Sequence, residues 1–274
     1  MTTTPSPYDD ELAPLLDELL TRLHSDFRGY ARPTLERAVA RAQALFGVTS
    51  VGALTALVRT DAAALATLAR SLTNSVSELF RDPSHFRAWR DEVVPHLATY
   101  PSIRVWVAGC GYGEEAYSIA VILREAGLLE RSLVYATDID EQALRAAAAG
   151  AFPAERIDTF EQTYRDAGGS ARLRDHATVQ GATMCFDPHL RARLVFSEHS
   201  LATDGAFAEV QAVSCRNVLI YFARELRDRA FAVFLDALCP RGFLGLGATE
   251  SLELSRHGPR FRPFVGAERL YRRA

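Results

Sequence analysis

The segment Ile103-Arg-Val-Trp-Val-Ala108 runs straight into Gly109-Cys-Gly111-Tyr-Gly113 and then Glu114-Glu115-Ala-Tyr117-Ser118. The first piece reads as a buried strand, and the last opens a helix over about 114–126. Glycines between them allow a tight turn and a close approach of backbone to a ligand. Backbone N–H groups at the start of the helix favour a carboxylate or phosphate. A strand, glycine loop and helix in that order commit the chain to helices packed on a sheet. Alone, the loop is equally what a tight turn without a ligand looks like.

The pattern repeats downstream. Leu133–Thr137 is a second strand, and about 140–149 is its helix. Val210–Ser214 is another strand, followed by a helix over about 223–238 and a strand at Gly242–Gly247. Alternation of this kind predicts an α/β fold with a mostly parallel, doubly wound sheet. Phe261–Val265 and Glu268–Tyr271 form a closing hairpin. Residues 151–200 break the alternation. They read as a helical excursion plus a small antiparallel insert at about 172–196, drawn from pieces such as Ala177–Gln180 and Arg193–Phe196. Ahead of the sheet, residues 9 to about 72 show helical spacing only. Leu12, Leu15, Leu16, Leu19 and Leu20 mark one amphipathic helix. Pro33-Thr34 opens a second, which Gly47 ends. Short helices follow at about 51–59 and 61–71. The expected domains are an all-helical unit with its linker at 1–85 and a sheet domain at 86–274.

Composition narrows the class. The 274 residues carry 31 basic and 34 acidic side chains, a net charge of −3, which argues against a nucleic-acid binder. Every basic residue is Arg; without Lys there is no Walker lysine and no Schiff base. Cys110, Cys185, Cys215 and Cys239 form no C-x-x-C pair. His85, His176, His189 and His199 are scattered without metal-ligand spacing, so no metal is expected. No apolar run reaches the length of a membrane span, and the first ten residues lack a basic and then apolar leader. A reduced cytoplasmic enzyme, with nothing that calls for more than a monomer, is the expectation.

Thr137-Asp138-Ile-Asp140 ends the second strand. An acid there is suited to two ribose hydroxyls. Asp140 reads as the cap of the next helix and Asp138 as the ligand residue. NAD and S-adenosylmethionine (SAM) both satisfy this spacing. The pair Glu114-Glu115 would repel a pyrophosphate but not a sulfonium cofactor bearing an ammonium group, which favours SAM.

Five segments, taken in order, resemble the CheR-type chemotaxis receptor methyltransferases. They are Ser75-Val-Ser77-Glu-Leu-Phe80-Arg81-Asp-Pro83, Ala108–Ser118, Ala136–Asp140, Cys215-Arg216-Asn217-Val-Leu-Ile-Tyr221-Phe222 and Gly242–Glu250. The likeness runs from about residue 10 to the end of the chain. It implies a Rossmann-like SAM-dependent methyltransferase that esterifies receptor glutamates and releases S-adenosylhomocysteine. By the same resemblance Ser75, Ser77 and Arg81 face the cofactor and active site. Gly109 belongs to the cofactor loop, Glu115 and Asp138 are the cofactor carboxylates, and Ser200 and Leu201 lie beside the adenine. Arg216 and Asn217 form the next cofactor contact, and Tyr221 stands near the transferred methyl.

The chain departs from the family at Gly111-Tyr112, where Ser-Thr or Ala-Thr is usual, and at Ser200, where Asn is. Losing hydrogen bonds at two or three such places weakens binding about tenfold. These departures motivate an alternative, a non-catalytic SAM-binding regulatory or scaffolding relative. In the enzyme reading Arg81 holds the incoming carboxylate and Tyr221 fixes its angle, against plainer roles as a surface ion pair and a core aromatic. Tyr112 reads as an exposed loop residue. Arg37 and Arg41 share a face at i, i+4 spacing. Either they are a solvated helix face or they dock the acidic coiled coil of a receptor's cytoplasmic domain.

Overall fold

The computed structural model describes residues 7–23, 25–73, 77–253 and 255–274. Four helices come first: α1 (Pro7–Leu23), α2 (Arg32–Phe46), α3 (Val51–Thr60) and α4 (Ala62–Thr73). Ser50 caps α3 through its hydroxyl, and Gly47 ends α2 in the left-handed conformation, as its position suggested. A broken helix follows, α5 (Pro83–Ala88), a π turn at Trp89–Val93 and α6 (Val94–Leu97).

The sheet domain then alternates. It runs β1 (Ile103–Ala108), α7 (Glu114–Glu125), β2 (Ser132–Asp138), α8 (Glu141–Ala149), β3 (Ala151–Pro153), α9 (Ile157–Asp166), β4 (Ala177–Gln180), β5 (Thr183–Phe186) and α10 (Pro188–Arg191). It continues with β6 (Leu194–Glu198), β7 (Val210–Cys215), α11 (Arg224–Ala237), β8 (Leu238–Leu246), β9 (Phe261–Val265) and β10 (Leu270–Arg273).

The main sheet has the order β6-β2-β1-β7-β8-β10-β9. Its first five strands are parallel, and the closing hairpin β9–β10 is antiparallel. Chain order reverses at β1, with β2 on one side and β7 on the other. That is the switch point at which open α/β sheets leave a crevice for ligands. The insert needs a correction. It is built from β3, β5 and β4, so it draws in residues 151–153. Residues 194–196, read as part of it, instead belong to β6, the parallel edge strand of the main sheet, in register Val134↔Leu194 to Asp138↔Glu198. A short amphipathic run carries no mark of its partner, and α10 delivers this one to β2.

Strand β1 shows how the sequence divides the interior. Ile103, Val105 and Val107 enter one core with α5, α6, α7 and α9, while Trp106 and Ala108 enter the other. That second core holds α11 and the apolar faces of α1–α4 together. The chain changes composition near residue 85, but the N-terminal helices share their interior with the sheet. The connector between α1 and α2 pairs with the loop after β7 through the bridge Tyr30↔Phe222. Among the described residues no single helix is long and apolar enough to cross a membrane.

Candidate functional site

A cavity of about 410 Å³ opens at the carboxyl ends of β1, β2 and β7. Ser77, Arg81, Gly109, Glu115, Asp138, Ser200, Leu201, Arg216, Asn217 and Tyr221 all line it. Ser75 lies outside the described residues. Tyr112 is 36% exposed and does not line the cavity.

The glycine loop lies under the loop after β7. Gly109 has φ +74°, and a Cβ there would stand 2.3 Å from Cγ2 of Val218, so only glycine lets the two loops close on each other. Asp138 is buried at the end of β2. Its Oδ2 accepts the Gly111 N–H at 2.8 Å and its Oδ1 accepts the Asp140 N–H at 3.0 Å. Burial pushes this carboxyl above the usual range, and those two N–H groups pull it back. Each oxygen keeps a lone pair for a ligand. Asp140 accepts from Gln142 and Ala143 and is the cap of α8, as its position indicated.

Arg216 organises the opposite wall. Its side chain is 1% exposed. Nη1 donates to Glu115 at 3.1 Å, and Nη2 donates to the Arg81 carbonyl at 2.8 Å and to Asp82 at 2.7 Å. The other Glu115 oxygen accepts from the Ser214 hydroxyl. Arg216 thereby fixes the backbone that presents Arg81. That backbone is strained, for Phe80 (φ 54°) and Asp82 (φ 57°) both adopt the left-handed conformation around Arg81. Such residues cost about 1–3 kcal/mol each and persist where surrounding contacts hold them. Here Ser118 Oγ accepts the Phe80 N–H, Thr163 donates to the Leu79 carbonyl, and Arg156 donates to the Ser77 carbonyl. Beside this wall the ring of His85 is held neutral. Burial and the neighbouring Arg216 charge lower its pKa to about 3.

Sequence reasoning attached no role to Glu250, the last residue of the fifth segment. It is 4% exposed and accepts four backbone N–H groups: Gly247 at 2.7 Å, Asn217 and Val218 at 3.0 Å, and Ile220 at 3.3 Å. It anchors the loop carrying Asn217 and Tyr221 to the end of β8, with Asn217 left-handed at φ 60°. An acid just past a strand was its only local signal. Asp26 and Tyr30 from the helical unit also line the cavity, with no local signal at all. Arg28 holds the Asp26 carboxyl below the usual range through its side-chain hydrogen bonds.

Ser200 sits in a tight turn. Its N–H donates to Asp204 and its hydroxyl accepts from Ala202. Leu201 and Ile139 add an apolar patch to the lining. Away from the cavity, Arg37 and Arg41 are exposed on α2, and among the described residues neither is in an ion pair. Arg41 donates to the Ser71 carbonyl.

The cavity falls within the usual range of small-molecule sites, about 300–1,000 Å³. It combines a glycine loop, a buried acceptor carboxylate and an apolar patch, which suits a nucleoside cofactor. A model of the CheR methyltransferase SAM-binding domain matches residues 75–264. The "Putative methyltransferase Cher3" of Pseudomonas putida is 44% identical over 266 residues, covering 97% of each chain. The chemotaxis protein methyltransferase 2 of Pseudomonas aeruginosa is 31% identical, over 68% of this chain and 67% of that one. The chemotaxis protein methyltransferase of Listeria innocua is 28% identical, over 71% of this chain and 72% of that one.

Proposed function

Since the chain belongs to the CheR methyltransferase family and is a SAM-dependent methyltransferase, we propose that it esterifies glutamate side chains of methyl-accepting chemotaxis-type receptors. The observation that carries this reading is the convergence of Arg81 and Tyr221 with Asp138 on one cavity.

Bound there, SAM supplies an electrophilic methyl group on a sulfonium. The remaining work belongs to the chain. Asp138 accepts hydrogen bonds from ribose hydroxyls. Glu115, steadied by Ser214 and Arg216, faces the cofactor's ammonium end. Ser77, Gly109 and Asn217 contribute close contacts, and Ser200 and Leu201 flank the adenine. A substrate glutamate is already ionised near neutral pH, so no general base is required. Arg81 receives that carboxylate with paired N–H donors. The Tyr221 hydroxyl sets its angle. The exposed Arg37 and Arg41 on α2 dock the acidic coiled coil of the receptor.

The test is transfer of labelled methyl from SAM to membranes carrying the host's receptors. Alkali-labile label on a receptor-sized band is expected. Binding of SAM with no label on any receptor would replace the enzyme by a SAM-sensing module.

A further inference from the structure

The cavity wall contains a phenol hydroxyl that no described residue of the protein uses. Tyr30 is only 9% exposed, and it lines the cavity. Its ring packs on Phe27 and Phe222 at centroid distances of 5.0 and 5.1 Å. Among the described residues no group exchanges a hydrogen bond with its hydroxyl. Nor is that oxygen sealed off, in the way the orphaned Nδ1 of His199 is. An unbonded hydroxyl on a buried ring that lines a cavity opens into that cavity.

Its place is fixed from both sides. The Ala31 N–H donates to the Tyr221 carbonyl at 2.7 Å, and the Ala223 N–H donates to the Gly29 carbonyl at 2.9 Å. These bonds clamp Tyr30 against the loop that carries Tyr221. Burial, and after it the negative charge of Asp138, raise the Tyr30 ionisation, so the phenol stays protonated and can donate. Asp138 as a carboxylate only accepts, whereas each ribose hydroxyl both donates and accepts. Hydroxyls that donate to Asp138 are left with lone pairs that need a donor.

We propose that Tyr30, delivered by the helical unit, is a cofactor-contacting residue whose hydroxyl donates to the ribose hydroxyls held by Asp138. The inference rests on the reading of Asp138 as the ribose carboxylate, and it makes the helices part of the SAM site.

Tyr30→Phe keeps the ring packing and removes only the hydroxyl. Calorimetric titration should show SAM and S-adenosylhomocysteine weakened alike, by about 2- to 12-fold. The melting temperature should be unchanged, so that the loss is one of binding and not of folding. With 2′,3′-dideoxy-S-adenosylhomocysteine as the probe, wild type and variant should bind equally. Unchanged SAM affinity would overturn the proposal, and so would a loss of kcat alone, which would place the hydroxyl at the substrate. A penalty persisting with the dideoxy probe would also overturn it. Asp138→Ala, titrated in parallel, separates the two ideas, because unchanged affinity there removes the ribose reading itself.

Discussion

Glu250 accepts the backbone N–H of Asn217 at 3.0 Å, across 33 residues of sequence. The same carboxylate takes the N–H groups of Gly247, Val218 and Ile220, so the turn that presents Asn217 and Tyr221 is tied to the end of β8 by one side chain. Four donors converging on one group require a carboxylate. In Glu250→Gln the amide NH₂ would face donors instead of accepting from them. About 1–3 kcal/mol of stability should be lost. Weaker SAM binding should accompany it, since Asn217 moves with the turn. Denaturant unfolding and calorimetry check both, and Glu250→Asp should recover only part of either.

The backbone at Arg81 is held by Arg216. The carbonyl gripped by Arg216, between left-handed residues on both sides, is a hold on the turn that truncating the Arg81 side chain does not remove. Arg81→Ala should therefore bind SAM within a few-fold of wild type and lose methyl transfer. If affinity and transfer fell by the same factor, Arg81 would be a cofactor or folding residue.

Asp138→Ala should abolish measurable SAM binding. Two hydrogen bonds to a charged acceptor are worth about 1.5–3 kcal/mol each, roughly 10²- to 10⁴-fold together. The variant also strips an acceptor from the Gly111 and Asp140 N–H groups, so a modest drop in melting temperature should accompany the loss.

The protein should weaken in mild acid because of His85. Unfolded, this ring titrates near 6.5; folded, its pKa is about 3. Between those values the unfolded chain binds a proton that the native one refuses, so stability falls as the pH drops below 6.5. One proton is worth about 1.4 kcal/mol per pH unit, which makes roughly 2 kcal/mol by pH 5. In His85→Gln that share of the pH dependence should vanish, as unfolding curves at pH 7 and pH 5 would reveal.

What the sequence disclosed was local. The strand before the glycine loop, the acid ending β2 and the cap at Asp140 are each written within a few residues. So are the helices of the N-terminal unit, through leucine spacing and Gly47. What stayed hidden depends on distant meetings. Leu194–Glu198 looks the same whether it joins a small antiparallel sheet or the edge of the large one, until α10 sets its direction. Glu250 shows its part only when the turns around Asn217 and Gly247 come within 3 Å of it. Tyr30 stands between Gly29 and Pro33 with nothing nearby to distinguish it from an ordinary core aromatic. The resemblance to a known family supplied residues such as Arg216, but not the way it grips Glu115, Asp82 and the Arg81 carbonyl at once.

The bridge between Tyr30 and Phe222 bears on how such chains can be recombined. A chimera that takes its first four helices from one relative and its sheet from another brings together two halves of a seam shaped separately. The backbone bonds from Ala31 to Tyr221 and from Ala223 to Gly29 would survive. The side-chain fit of Gly29 against Leu226, where a Cβ would come within 2.9 Å, would not survive a bulkier residue at 29. The helices are then inherited with residues 219–226, and grafts that move both together are the ones to keep turnover.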